Sequence, residues 1–186
     1  MGRFVCHNEI REGSKVIMGT VWRRVGGSIG GYDINATVKN GVISGRIGGM
    51  IIGNDINLTY SMEKGFINGR LGGAIIGKSV EGRLSPNSLS IRIGGMVDGN
   101  NLELETGDNS VYCRCGGPAI GFDVEIDFIK GQAVGRLGGG FVGMDVKGSV
   151  TDVEPIIAGA LFAITYYIYK VNHRNSGSSG SSGRSR

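Results

Sequence analysis

Two short patterns of strict alternation recur along the chain. One runs up to an arginine, as in Ile43-Ser44-Gly45-Arg46-Ile47 and Leu89-Ser90-Ile91-Arg92-Ile93. The other begins at an acid or amide, as in Asp55-Ile56-Asn57-Leu58-Thr59-Tyr60 and Asp123-Val124-Glu125-Ile126-Asp127-Phe128. A period of two marks strands buried on one face only. Arg, Asp, Glu, Asn, Ser and Thr fall on one side of these strands; Ile, Leu, Val, Tyr, Phe, Cys and Gly fall on the other. No 3.6-residue period survives the many glycines, so a helical reading of this region fails.

The two patterns are joined by a phrase that occurs six times, Arg-x-Gly-Gly-x-x-x-Gly, beginning at Arg24, Arg46, Arg70, Arg92, Arg114 and Arg136. The spacing is 22 residues, once 24. Six units of two strands predict an all-β repeat domain of about twelve strands over residues 21–152, preceded by a cap and first-strand region over 1–20. Two folds can use such a unit. An antiparallel meander, closed or curved, pairs each strand with its sequence neighbours, whereas a β-solenoid stacks one unit per rung at about 4.8 Å.

The turns favour the meander. Asn40-Gly41, Pro86-Asn87, Asp108-Asn109 and Lys130-Gly131 separate the units, and Asn-Gly is the strongest short-range hairpin signal. Folding about these centres sets Asn35 beside Arg46, Glu81 beside Arg92, Glu103 beside Arg114 and Glu125 beside Arg136. The longer Met62-Glu63-Lys64-Gly65 turn keeps parity, placing Tyr60 opposite Ile67 and Asn57 opposite Arg70. Folding about the glycine segments sets Arg24 beside Asp33, Arg46 beside Asp55, Arg114 beside Asp123 and Arg136 beside Asp145. A solenoid would instead stack six like charges, which is destabilising. The arginines and these acids are therefore expected to be structural partners. The glycine segments themselves read as bends with apolar tips such as Ile51 and Ile52, where Gly49, Gly73 and Gly139 supply conformations that a Cβ disfavours.

The alternation stops at Asp152. Glu154-Pro155 suits a helix start, and the run that follows is apolar on every side. Its residues include Ile156, Ile157, Leu161, Phe162, Ile164, Tyr166, Tyr167, Ile168 and Tyr169, followed by Lys170, His173 and Arg174. A helix apolar all round must be surrounded, by lipid or by protein. The run is shorter than the roughly 20 residues of a bilayer span, but the Tyr belt and a snorkelling Lys170 would extend it. On this ground the segment over 153–174 is expected to be a membrane anchor, with membrane lipid as partner and the repeat domain on the cytoplasmic side. The alternative encloses the helix within the sheet, with the inward glycines Gly45, Gly69, Gly82, Gly135 and Gly148 making space. That arrangement resembles the tubby-like barrels, which carry a hydrophobic C-terminal helix through the middle; the resemblance is one of architecture, and no motif of that family is matched. The tail over 175–186, rich in Gly and Ser, has linker composition.

Composition adds exclusions. Gly is 36 of 186 residues but Pro only 3, with no triplet period, which excludes collagen. The net charge of +4 belongs wholly to Lys170, Arg174, Arg184 and Arg186, since residues 1–169 are neutral. An anionic lipid surface would attract that end, while the neutral body is no nucleic-acid surface. Cys6, Cys113 and Cys115 form no disulfide framework, and no secretory signal is visible, which indicates a reducing compartment. His7 and His173 lie at opposite ends, no zinc spacing exists, and the glycine phrases lack the ending of a phosphate loop. No catalytic residue, metal or cofactor is expected. The expectation is a non-enzymatic, membrane-associated repeat scaffold. The alternatives are a filament or shell protein self-assembling into homo-oligomers through terminal strands, or a barrel binding lipid or a small ligand with the C-terminal helix enclosed.

Overall fold

A computed structural model describes residues 18–26, 31–48, 53–73, 77–95, 99–116, 121–138 and 143–176. The bend residues Gly49, Ile51, Ile52 and Gly139, the terminal Cys6 and His7, most of the 1–20 region and residues 177–186 lie outside this set. Among the described residues there are twelve strands: β1 (Met18–Gly26), β2 (Gly31–Lys39), β3 (Val42–Gly48), β4 (Gly53–Ser61), β5 (Phe66–Gly72), β6 (Gly77–Leu84), β7 (Ser88–Ile93), β8 (Asn100–Thr106), β9 (Ser110–Cys115), β10 (Phe122–Ile129), β11 (Gln132–Gly138) and β12 (Gly143–Thr151). They form one antiparallel meander, and β1 closes onto β12 to make a barrel. The helix α1 (Pro155–Ser176) follows.

Pairing follows the charge pattern. Asn35 lies opposite Arg46, Glu81 opposite Arg92, Glu125 opposite Arg136 and Asn57 opposite Arg70. Across the glycine segments Arg24 faces Asp33, Arg46 faces Asp55, Arg114 faces Asp123 and Arg136 faces Asp145. Between β8 and β9 the ladder pairs Glu105 with Tyr112, a register that carries Glu103 opposite Arg114. The tight turns have the geometry their residues demand: Asn40 and Gly41 both have positive φ (51° and 76°), as do Lys130 and Gly131 (49° and 77°). This is the mirror-image turn whose twist matches that of the flanking strands. Closure pairs both edges of every one of these twelve strands within the chain.

The membrane helix expected from the sequence is corrected. Residues 156–168 are buried without a break, and Ile157, Ala158, Phe162, Ala163, Ile164 and Thr165 are wholly inaccessible. They share one core with the inward residues of the barrel, among them Val21, Ile34, Ile47, Ile56, Leu102, Val124 and Val146. Ile156, Leu161, Tyr166, Tyr167 and Ile168 belong to that core too, and only Tyr169 reaches the half-buried rim. Among the described residues no helix is long and apolar enough to cross a membrane. Polarity on every side is absent from α1 because protein, not lipid, surrounds it. The buried Thr165 hydroxyl donates to the Leu161 carbonyl one turn back, at 2.8 Å, which satisfies it within the helix. Outside, the described strands carry charged and amide side chains, with Trp22, Val42, Tyr112, Ile129 and Val134 exposed among them.

The inward glycines have two distinct roles. A Cβ at Gly45, Gly69, Gly82 or Gly135 would meet the carbonyl oxygen of a neighbouring strand at 2.0–2.2 Å. These four let adjacent strands approach and coil, rather than making room for the helix. Gly148 does make room, since a Cβ there would stand 2.7 Å from Phe162 Cζ.

Candidate functional site

The arginines form a belt around the outside, near the end of the barrel where the glycine segments lie. Arg24 reaches Asp33 at 3.4 Å, Arg114 reaches Asp123 at 3.0 Å, Arg136 reaches Asp145 at 2.7 Å, and Arg46 pairs with Asp55. Arg92 Nη1 donates to Asn101 Oδ1 at 2.9 Å. The arginine also reaches its own bend. Arg70 Nε donates to the Gly73 carbonyl at 3.1 Å, and Arg92 Nε to the Gly95 carbonyl at 3.2 Å. That contact gives a reason for Arg at the start of the phrase, since a guanidinium can serve a cross-strand side chain and a loop carbonyl together, as Arg92 does with Asn101 and Gly95. The paired side chains are 39–67% exposed, so each pair contributes only a few tenths of a kcal/mol. The backbone demand falls on the first glycine of the pair. Gly26, Gly48, Gly72, Gly94, Gly116 and Gly138 have φ between 83° and 113°, whereas Gly73, a second glycine, is not among the positive-φ positions.

The same end of the barrel is the mouth from which α1 emerges. The position eight residues after each arginine is the first inward residue of the following strand. In the six units it is Tyr32, Asn54, Lys78, Asn100, Phe122 and Met144, a variable place inside an otherwise uniform phrase. Three of these engage α1 directly. Tyr32 meets Tyr169 edge-on at 5.4 Å and accepts a hydrogen bond from Asn172 at 3.0 Å. Asn100 donates to the Tyr167 hydroxyl at 3.1 Å. Phe122 meets Tyr166 edge-on at 4.9 Å, with Lys170 Nζ 5.7 Å from the centre of both rings. Met144 packs against the core.

Asn54 and Lys78 differ from the other four. They border a cavity of about 280 Å³ between the wall and α1, together with Leu71, Gly77, Tyr167, Ile168, Val171 and Asn172. The cavity exists because α1 lies closest to β1 and β2 on one side and β7–β10 on the other, standing off from β4–β6. Gly159 marks a close approach of α1 to the opposite wall: a Cβ there would stand 2.8 Å from Val111 of β9. A larger hollow of about 450 Å³ lies along β5 and β6, with Glu81 the charged residue among its described lining, but it is shallow and broadly open.

Other reactive groups are engaged elsewhere. His173 stacks on Tyr169 at 3.9 Å, with Nδ1 2.9 Å from the Tyr169 carbonyl oxygen. Cys115 is buried and forms no disulfide among the described residues. At the far mouth Tyr60 donates to Glu154 at 3.3 Å; burial first, then the Glu154 charge and hydrogen bond, push its pKa up to about 12. Burial, followed by Tyr169, also raises the pKa of Tyr166. Among the described residues no His, Cys, Asp and Glu cluster has metal-site geometry. No protein-family model, curated protein or solved structure matches the chain.

Proposed function

We propose that the chain is a non-enzymatic ligand-binding barrel whose working face is the mouth where α1 emerges. The reading is carried by the break in the sixfold pattern of the inner rim. Four variable positions close onto α1 or the core, while Asn54 and Lys78 border a cavity. A concave, largely apolar site with a few convergent polar groups is the usual form of a small-molecule site. The helix has the role of a plug, filling the lumen and bringing Tyr167, Ile168 and Val171 to the inner wall of the site.

An amide correlation spectrum recorded with octanoate, octanol, inorganic phosphate and glucose tests this reading. At least one probe should give saturable shifts concentrated at residues 53–56, 71–73, 77–79 and 167–172. Shifts absent with every probe, or scattered over the outer face, would contradict it.

A further inference from the structure

The geometry points to a specific class of ligand for this cavity: a single-chain monoanionic amphiphile, whose carboxylate meets Lys78 and whose apolar chain lies between Leu71 and α1. The inference rests on the mouth being a binding site and adds the chemistry of its occupant.

Lys78 is unusual for its place. It alternates with Val80 and Leu84 on the inward face of β6, so its stem leaves the barrel wall from the side that elsewhere builds the core. The equivalent residues of the other units are uncharged. Among the described residues no carboxylate stands within ion-pair distance of its ammonium. A lysine held at a mouth of apolar and neutral polar side chains, with no acid partner among the described residues, has a charge that an incoming anion would complement.

The remaining lining restricts what that anion is. Leu71, Ile168 and Val171 offer hydrocarbon, and Asn54, Asn172 and Tyr167 offer neutral polar groups around it. A bare phosphate would leave the hydrocarbon unsatisfied and would gain from several cations or a row of backbone amides, whereas this cavity presents one cation. A neutral amphiphile would leave Lys78 unpaired. One negative charge on an apolar chain satisfies both walls. The volume of about 280 Å³ lies just below the roughly 300–1,000 Å³ usual for small-molecule sites, which suits a medium-length chain or the end of a longer one.

Isothermal titration of the whole chain with octanoate, octanol and inorganic phosphate tests the inference, beside Lys78→Met and Asn54→Phe. Lys78→Met keeps the apolar stem and removes the charge. Asn54→Phe installs in β4 the side chain that β10 carries as Phe122, which fills the cavity. Octanoate should bind saturably and at least tenfold more tightly than octanol. Lys78→Met should lower octanoate affinity at least tenfold and leave octanol unchanged, and Asn54→Phe should abolish both. Lys78→Glu, which should reject octanoate altogether, replaces Asn54→Phe if that variant does not fold. Flotation with phosphatidylcholine vesicles doped with oleate separates the sources of the anion: Lys78-dependent flotation assigns a bilayer-borne acid, and octanoate binding without flotation assigns a free one. Octanoate binding no better than octanol, or binding equally to Lys78→Met, would overturn the inference. If octanol still moves the mouth amides, the binding-face reading survives that result; if no probe moves them, both fall.

Discussion

Phe162 of α1 lies so close to Gly148 of β12 that a Cβ on the glycine would stand 2.7 Å from Phe162 Cζ. The helix and the barrel wall are thus one packing unit, and the glycine is the complement of the ring. Gly148→Ala should therefore destabilise the fold by about 1–3 kcal/mol through overpacking, while Lys147→Gln on the outer face should be nearly silent. Phe162→Leu made on top of Gly148→Ala should recover part of the loss. Chemical denaturation of the wild type, Gly148→Ala, Phe162→Leu and the double variant gives the coupling, and strict additivity would mean that the two residues do not meet.

The first glycine of each Arg-x-Gly-Gly phrase should be the sensitive one. Gly72 has φ of 88°, a conformation that side chains rarely adopt. Gly72→Ala should cost about 1 kcal/mol or more, and Gly73→Ala less. Equal midpoints for the two variants in urea would contradict this assignment.

Arg136 and Asp145 are cross-strand neighbours whose side chains meet at 2.7 Å on the exposed face. A double-mutant cycle with Arg136→Ala and Asp145→Ala should give a coupling of roughly 0.2–1 kcal/mol, shrinking as salt is added. No coupling at low salt would remove the belt from the list of stabilising contacts.

Alkaline stability should report on Tyr60. Its folded pKa, pushed up to about 12 from the usual 10, means that the folded state holds the phenol proton more tightly than the unfolded chain does. That contribution is complete below pH 10 and is lost as pH rises through 12. Tyr60→Phe should flatten this part of the stability profile, leaving a smaller decline from Tyr166. An unchanged slope would rule out the Tyr60–Glu154 contact as its source.

Much of the barrel was legible in the sequence because strand register obeys local rules. Parity, turn residues and cross-strand charge fixed Glu125 opposite Arg136 and Asn57 opposite Arg70 before any coordinates. The surroundings of α1 were not legible in the same way. Leu161 and Ile164 are equally apolar for lipid and for a barrel interior, and the deciding contact pairs β1 with β12, between residues as distant as Thr20 and Thr151. Gly45 and Gly148 are indistinguishable as letters, yet one faces a strand backbone and the other a phenyl ring. The rim cavity did leave a trace, since Lys78 is the one charged residue at a position that is otherwise aromatic, amide or methionine. Its meaning required knowing that the position points inward and that α1 ends beside it.

Enclosure of α1 is the central claim, and a far-ultraviolet circular-dichroism melt of Leu161→Arg with Ile164→Arg tests it most directly. Both side chains are buried within the barrel, at 1% and 0% exposure. Two unpaired charges there should destroy the fold, since an uncompensated buried charge is strongly destabilising. The variant should show neither the strand spectrum nor a cooperative transition. A variant that keeps the wild-type spectrum and melts cooperatively would contradict the account, because its helix would then lie outside the barrel.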